Sequence, residues 1–175
     1  MRLAVFGLVA GLMFAAPAAA QTADVLAPAR VGQLQCFEPN ATAKTCQALG
    51  GYTFASSGVI ENAAEVLITP SAPVIVMRVT TPVTIRNNAI CGPITPADIA
   101  RATFTVDGAP ASEAQTASIR SSIQESPMMN VDTCISVTPV DGGLRAETSI
   151  GGTPRPEMNQ RVVWVNANDG WRVAP

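Results

Sequence analysis

Apolar and polar residues alternate in short runs, and Gly, Pro, Asn and Asp cut the runs apart. A period of two bounded by such residues predicts strands. Gly50-Gly51 closes a polar loop, Tyr52-Thr53-Phe54 alternates with Tyr52 and Phe54 on the core face, and Ser56-Ser57-Gly58 turns the chain before Val59-Ile60. Glu65 to Thr69 is a further apolar run. Pro70 to Pro73 is a turn, and Val74 to Val79 is a buried strand. Pro82 restarts a strand through Val83 and Ile85, with Thr84 and Arg86 on its other face, and Asn87-Asn88 turns the chain towards Cys91.

Helical signals occur twice. Thr95-Pro96-Ala97-Asp98 has a capping hydroxyl, a proline suited to the first helical position and an acid that favours the N-terminal dipole, so a helix of about two turns ending near Ala102 is expected. Thr103 to Val106 is then a strand and Asp107-Gly108 a turn. Ser112 to Gln124 has Ile119 and Ile123 one turn apart on a thin apolar stripe, so this helix belongs on the surface, and Pro127 ends it. Val131 to Val140 and Leu144 to Ile150 flank Asp141-Gly142-Gly143 as a hairpin. Val162 to Asn166 and Trp171 to Val173 suggest a terminal hairpin around Asn168-Asp169-Gly170. The sum is an α+β, mainly β fold: an antiparallel sheet of roughly eight short strands with one or two short helices on one side.

The terminal hairpin bears on the two tryptophans. A three-residue loop with Gly170 left-handed puts Trp171 on the Val163/Val165 face and Trp164 on the Val162 face; a two-residue loop puts both on one face. An outward tryptophan is a platform for a glycan or peptide, whereas a buried one is a packing element, for instance beneath the 112–124 helix.

The first residues change the chemistry of the rest. Arg2, an apolar block to Ala16, Pro17 and Ala18-Ala19-Ala20 follow the pattern of a signal peptide over residues 1–20, cleaved after Ala20. Residues 21–34 then read as a flexible start and 35–175 as one globular domain. No later stretch is long and apolar enough to be a transmembrane helix. In a periplasmic or secreted chain, Cys36, Cys46, Cys91 and Cys134 read as two disulfides. Of three pairings, Cys36–Cys46 and Cys91–Cys134 are favoured; they close a short and a long loop, for about 3 and about 4 kcal/mol of chain entropy.

Composition then narrows the function. The chain has no histidine and a net charge of −2, with Lys44 its only lysine. That removes histidine-based triads, dyads and metal sites, and argues against a nucleic-acid partner. Neither a Gly-rich phosphate loop nor a C-x-x-C motif occurs, so no cofactor or metal is expected. Carboxylate chemistry survives, but no pair of acids is marked. Candidate binding residues are Trp164, Trp171, Arg155 in the loop 151–157, and Arg78 and Arg86, which read as neighbouring-strand residues lining an anion site. Met128-Met129 reads as a core plug.

The signal peptide, Cys36 with Thr45-Cys46, Tyr52 before a Ser-Gly turn, Cys91-Gly92 and the Trp164/Asp169-Gly170 segment together resemble small uncharacterised exported proteins of alphaproteobacteria. The resemblance implies a compartment and a lineage without an activity. The expected function is a non-enzymatic module that binds an envelope component or another protein. The alternatives are a carboxylate-based hydrolase or lyase, and an inhibitor whose 36–46 loop enters a target's cleft.

Overall fold

The computed structural model describes residues 24–175, so the signal-peptide reading of residues 1–20 lies outside them. The strands are β1 (Gln33–Phe37), β2 (Thr45–Cys46), β3 (Ala48–Phe54), β4 (Ile60–Thr69), β5 (Ile75–Arg86), β6 (Ala89–Gly92), β7 (Thr103–Val106), β8 (Ala109–Pro110), β9 (Thr133–Val140), β10 (Gly143–Ile150), β11 (Thr153–Pro154), β12 (Gln160–Asn166) and β13 (Arg172–Val173). The helices are α1 (Ala27–Arg30), α2 (Pro96–Arg101) and α3 (Glu113–Gln124). The fold is mainly β and antiparallel, as the alternation predicts. The sheet also closes on itself. Following the chain, β1 pairs with β3, β3 with β4, β4 with β5 and β5 with β6. Next, β6 pairs with β9, β9 with β10 and β10 with β12, and β12 returns to pair with β1. Eight strands thus form an up-and-down barrel, and its closure leaves neither β1 nor β12 as a free edge.

Period-two alternation decides which side chains enter. On β4, Asn62, Ala64, Val66 and Ile68 share the inner face; on β5, Met77, Val79, Thr81 and Val83 do. Arg78, Thr80 and Thr84 alternate with them on the outside and are exposed. Asn87 and Asn88 both have positive φ, 50° and 61°, as the tight β5–β6 turn requires.

The helices form where their caps predict. In α2 the Thr95 hydroxyl accepts from the Asp98 N–H at 3.2 Å, while the Asp98 carboxylate accepts from the Thr95 N–H at 2.9 Å. Ser112 and Gln115 make the same reciprocal pair at the start of α3. No α3 residue is fully buried, but Ile119 and Ile123 pack on the cluster of Met77, Val79, Ile99, Ala102 and Phe104.

Both cysteine pairings hold. Cys36–Cys46 ties β1 to β2, and Cys91–Cys134 joins directly opposed residues of β6 and β9.

Several local expectations differ from the structure. The segment 21–34, read as a flexible start, carries α1 and the first residues of β1 where it is described, with Leu26 fully buried. Gly50-Gly51 lies within β3 rather than ending a loop. Pro82 does not restart a strand; it sits inside the continuous β5. There the second edge of β5 has passed β7, which pairs with 75–78, and has not reached β6, which pairs with 84–86. A missing N–H costs no ladder bond on that side. The terminal hairpin is absent. Gly170 is left-handed with φ 79°, as its sequence favours, but β13 runs parallel to β2, and the flanks of β12 belong to β1 and β10.

At the change of partner from β7 to β6 the backbones come close. A Cβ on Gly92 would lie 2.8 Å from the Pro82 carbonyl oxygen. Gly92→Ala is therefore expected to cost about 1–3 kcal/mol in urea unfolding; an unchanged midpoint would mean that β5 and β6 separate there freely.

Candidate functional site

The barrel has two unlike ends. At the β5 C-terminal end, α1 acts as a plug. Leu26 and Ala29 pack on Ile90, Val83, Ile60, Phe54, Tyr52 and Trp164. Arg30 stacks its guanidinium 4.2 Å from the Phe54 ring centroid and donates to Asp24 at 2.6 Å. The Arg30 side chain and then the Leu26 N–H hold the Asp24 carboxyl below the usual carboxylate range. This clasp is present above that range and lost as pH falls below it.

At the opposite end, β5 is flanked by the β7–β8 hairpin rather than by β6, and α2, α3 and the 126–129 segment fill the gap. The ladder there is open. Of the large exposed hydrophobic residues described, Ile68, Ile94 and Met128 all line the cavity, at 37%, 41% and 40% exposure. They form an apolar rim.

Between plug and rim lies a cavity of about 440 Å³. Its wall is built from Phe37 of β1, Ala48, Gly50 and Tyr52 of β3, and the inner faces of β4 and β5. Ile90, Thr133, Ile135 and Gln160 complete the circle, and Ile99, Ile123 and Met129 close the helical side. None of the lining residues is charged. Its volume lies within the roughly 300–1,000 Å³ of small-molecule sites. Eight strands are also about the number that leaves room for one small ligand.

Polar groups gather towards the plugged end. The Tyr52 hydroxyl donates to Oε1 of Gln35 at 2.7 Å. Burial pushes the Tyr52 pKa well above its ordinary value, so it remains a donor. The Asn62 amide donates to the Gly51 carbonyl at 3.2 Å. Trp164 stands beside Tyr52 with ring centroids 6.4 Å apart.

Among the residues singled out from sequence, only Trp164 and Met128-Met129 belong to this interior. Trp164 points inwards, whereas Trp171 packs outside against the Cys36–Cys46 disulfide with Val163 and Val165. The two tryptophans thus lie on opposite faces, as the three-residue-loop alternative gives, but without the hairpin: the β2–β13 pairing places Trp171, which packs on the disulfide rather than beneath the 112–124 helix. Met129 packs in the core, while Met128 is part of the rim rather than a plug. Arg78 and Arg86 do not line an anion site: they lie eight positions apart on one strand and pair separately, with Glu65 and with Asp132. Arg155 faces Glu157 at 3.8 Å on the surface. The 36–46 loop is held down by Lys44 donating to the Asp169 carbonyl at 2.7 Å. Among the described residues, no three His, Cys, Asp or Glu cluster as metal ligands, and no helix is long and apolar enough to cross a membrane.

Gln35, Asn62 and Gly50 were not marked as site residues. The only sequence signal for them is the run Asn62-Ala64-Val66-Ile68 beside Met77-Val79-Thr81-Val83, in which small or polar residues interrupt two long inner faces. No protein-family model matches the chain, and comparison with curated proteins and with solved structures gave no match.

Since α1 closes the inner end, Leu26→Ala is expected to cost about 2–5 kcal/mol in urea unfolding. A change below half a kilocalorie would show that the barrel's end collapses without its plug.

Proposed function

We propose that this chain is an exported, non-enzymatic binding protein that holds one small, uncharged, mainly apolar molecule inside its barrel. The observation that carries the proposal is the uncharged cavity of about 440 Å³ beneath an exposed apolar rim. Protein interiors are normally packed to the density of organic crystals, and a cleft that runs from the rim into the barrel between apolar walls departs from that packing. At roughly 30 Å³ per water-sized group, it accommodates on the order of 10–15 non-hydrogen atoms.

Export rests on residues 1–20 as a signal peptide cleaved after Ala20, and on two disulfides that fit an oxidising compartment. The expected partner, an envelope component, thereby narrows to an apolar small molecule. The likeness to alphaproteobacterial exported proteins supports the same compartment. No acid lines the cavity, so the carboxylate-enzyme reading gains no support from this site.

Titration of the protein with the small fluorophore 1-aminonaphthalene, uncharged at neutral pH, tests the proposal. We expect one saturable site, with Trp164 emission quenched as the dye fills. Ala64→Leu, which pushes a larger side chain into the cavity, should weaken binding about tenfold or more, for a loss near 1.4 kcal/mol. Dye binding that does not saturate, or that ignores Ala64→Leu in a folded variant, would remove the proposal's basis.

A further inference from the structure

We infer that the molecule held in the barrel carries a hydroxyl group, which donates to Oδ1 of Asn62 and accepts from the hydroxyl of Thr81. This inference rests on the cavity proposed above as the binding site.

Asn62 on β4 and Thr81 on β5 are directly opposed, and both line the cavity. Opposed side chains start about 4.5–5.5 Å apart at Cβ, close enough for one oxygen atom to reach both. The surroundings fix which way the Asn62 amide points. One end stands 3.2 Å from the Gly51 carbonyl oxygen, which accepts and cannot donate, so that end is the NH2 group. The other end is the carbonyl oxygen, a pure acceptor. Among the described residues, no hydrogen bond reaches that oxygen or the Thr81 hydroxyl, and neither atom is sealed from a water-sized group. Thr81 is 8% exposed and belongs to the inner face of β5, so its hydroxyl is reached from inside the barrel.

This pair interrupts an otherwise apolar wall. Ala64 and Val66 follow Asn62 on its face of β4, and Val79 and Met77 continue the face of Thr81 on β5. Tyr52, opposed to Asn62 on the other side, is engaged with Gln35 and supplies no partner. An acceptor left unmet between apolar walls is costly, so the free oxygen calls for a donor. The Thr81 hydroxyl has a proton to give in return. A hydroxyl meets both demands through one atom. A ketone or ether would accept from Thr81 and leave Oδ1 unmet. A protonated amine would serve Oδ1 but lie buried without a counter-charge, since no acid lines the cavity. The apolar remainder of the ligand then runs along Val79 and Met77 towards the rim.

Two probes that differ by one hydroxyl test this: 4-butylphenol and butylbenzene. Calorimetry measures both affinities in the unaltered protein, in Thr81→Val and in Asn62→Leu, with the fold of each variant checked by circular dichroism. We expect butylphenol to bind about fivefold more weakly in each variant, the net worth of one hydrogen bond, and butylbenzene to bind no more weakly. Nuclear Overhauser contacts in the unaltered protein give the orientation independently. The ring protons beside the phenol hydroxyl should meet the Thr81 methyl, and the butyl end the Met77 methyl. If Asn62→Leu does not fold, Thr81→Val and these contacts decide. Unchanged butylphenol binding in the folded variants, an equal loss for butylbenzene, or reversed contacts would each overturn the hydroxyl inference. A loss confined to one folded variant would overturn the bridge between the two residues. If butylbenzene binds and the hydroxyl contributes nothing, only this inference falls. If no probe binds, the cavity as a binding site falls with it.

Discussion

Pairing of the first long strand with the last is the constraint on which the rest depends. Residues 33–37 and 162–166 match over five positions, and the eight ladders then form a ring. Without that seam, β1 and β12 would each present an open edge, and the inner faces of β4 and β5 would line a groove rather than a chamber. Closure also sets what each alternating position means. Every even residue from Asn62 to Ile68 faces inwards because the register cannot slip by one without turning Ala63 and Glu65 into the core. The Cys36–Cys46 bridge reinforces the seam from outside, where Val163, Val165 and Trp171 pack over it.

The ring is unequal at its two ends. Ladders are complete around the plugged end, where α1 supplies Leu26 as a stopper. At the other end β5 exchanges β6 for β7, and helices replace a ladder. Backbone hydrogen bonds hold a ladder shut, whereas side-chain packing alone holds a helix against a barrel. Under the proposed binding function, the helical side, where Met128 and Met129 offer flexible, polarizable contacts, is the route for a ligand. The close approach of Gly92 to Pro82 marks where one arrangement gives way to the other.

Inside, apolar walls lead to a small polar floor. A purely apolar core would fill with side chains, and a richly polar one would need a closed network of partners. This interior takes neither course. The Tyr52 hydroxyl is paired with Gln35, and the Asn62 amide is paired with the Gly51 carbonyl.

Much of the architecture was legible locally. Alternation, turn residues and capping pairs located most strands, α2 and α3, because each depends on neighbours within a few positions. Cysteine spacing located both disulfides. The errors share a cause. Pro82 is a strand breaker only where its N–H would join a ladder, Gly50-Gly51 is a turn only where no side chain must be kept away, and Trp171 follows Gly170 to whichever strand is free. Each of those conditions is set by a segment far along the chain. Likewise, Gln35 is an ordinary polar residue until closure seals it from water. The sequence by itself determined a mainly β, disulfide-tied chain with known turns and faces, since period, capping and spacing are local properties. Only the tertiary structure decided that the sheet is a ring with a hollow centre, because closure is a contact between the two ends of the domain and the cavity is the space that this contact encloses.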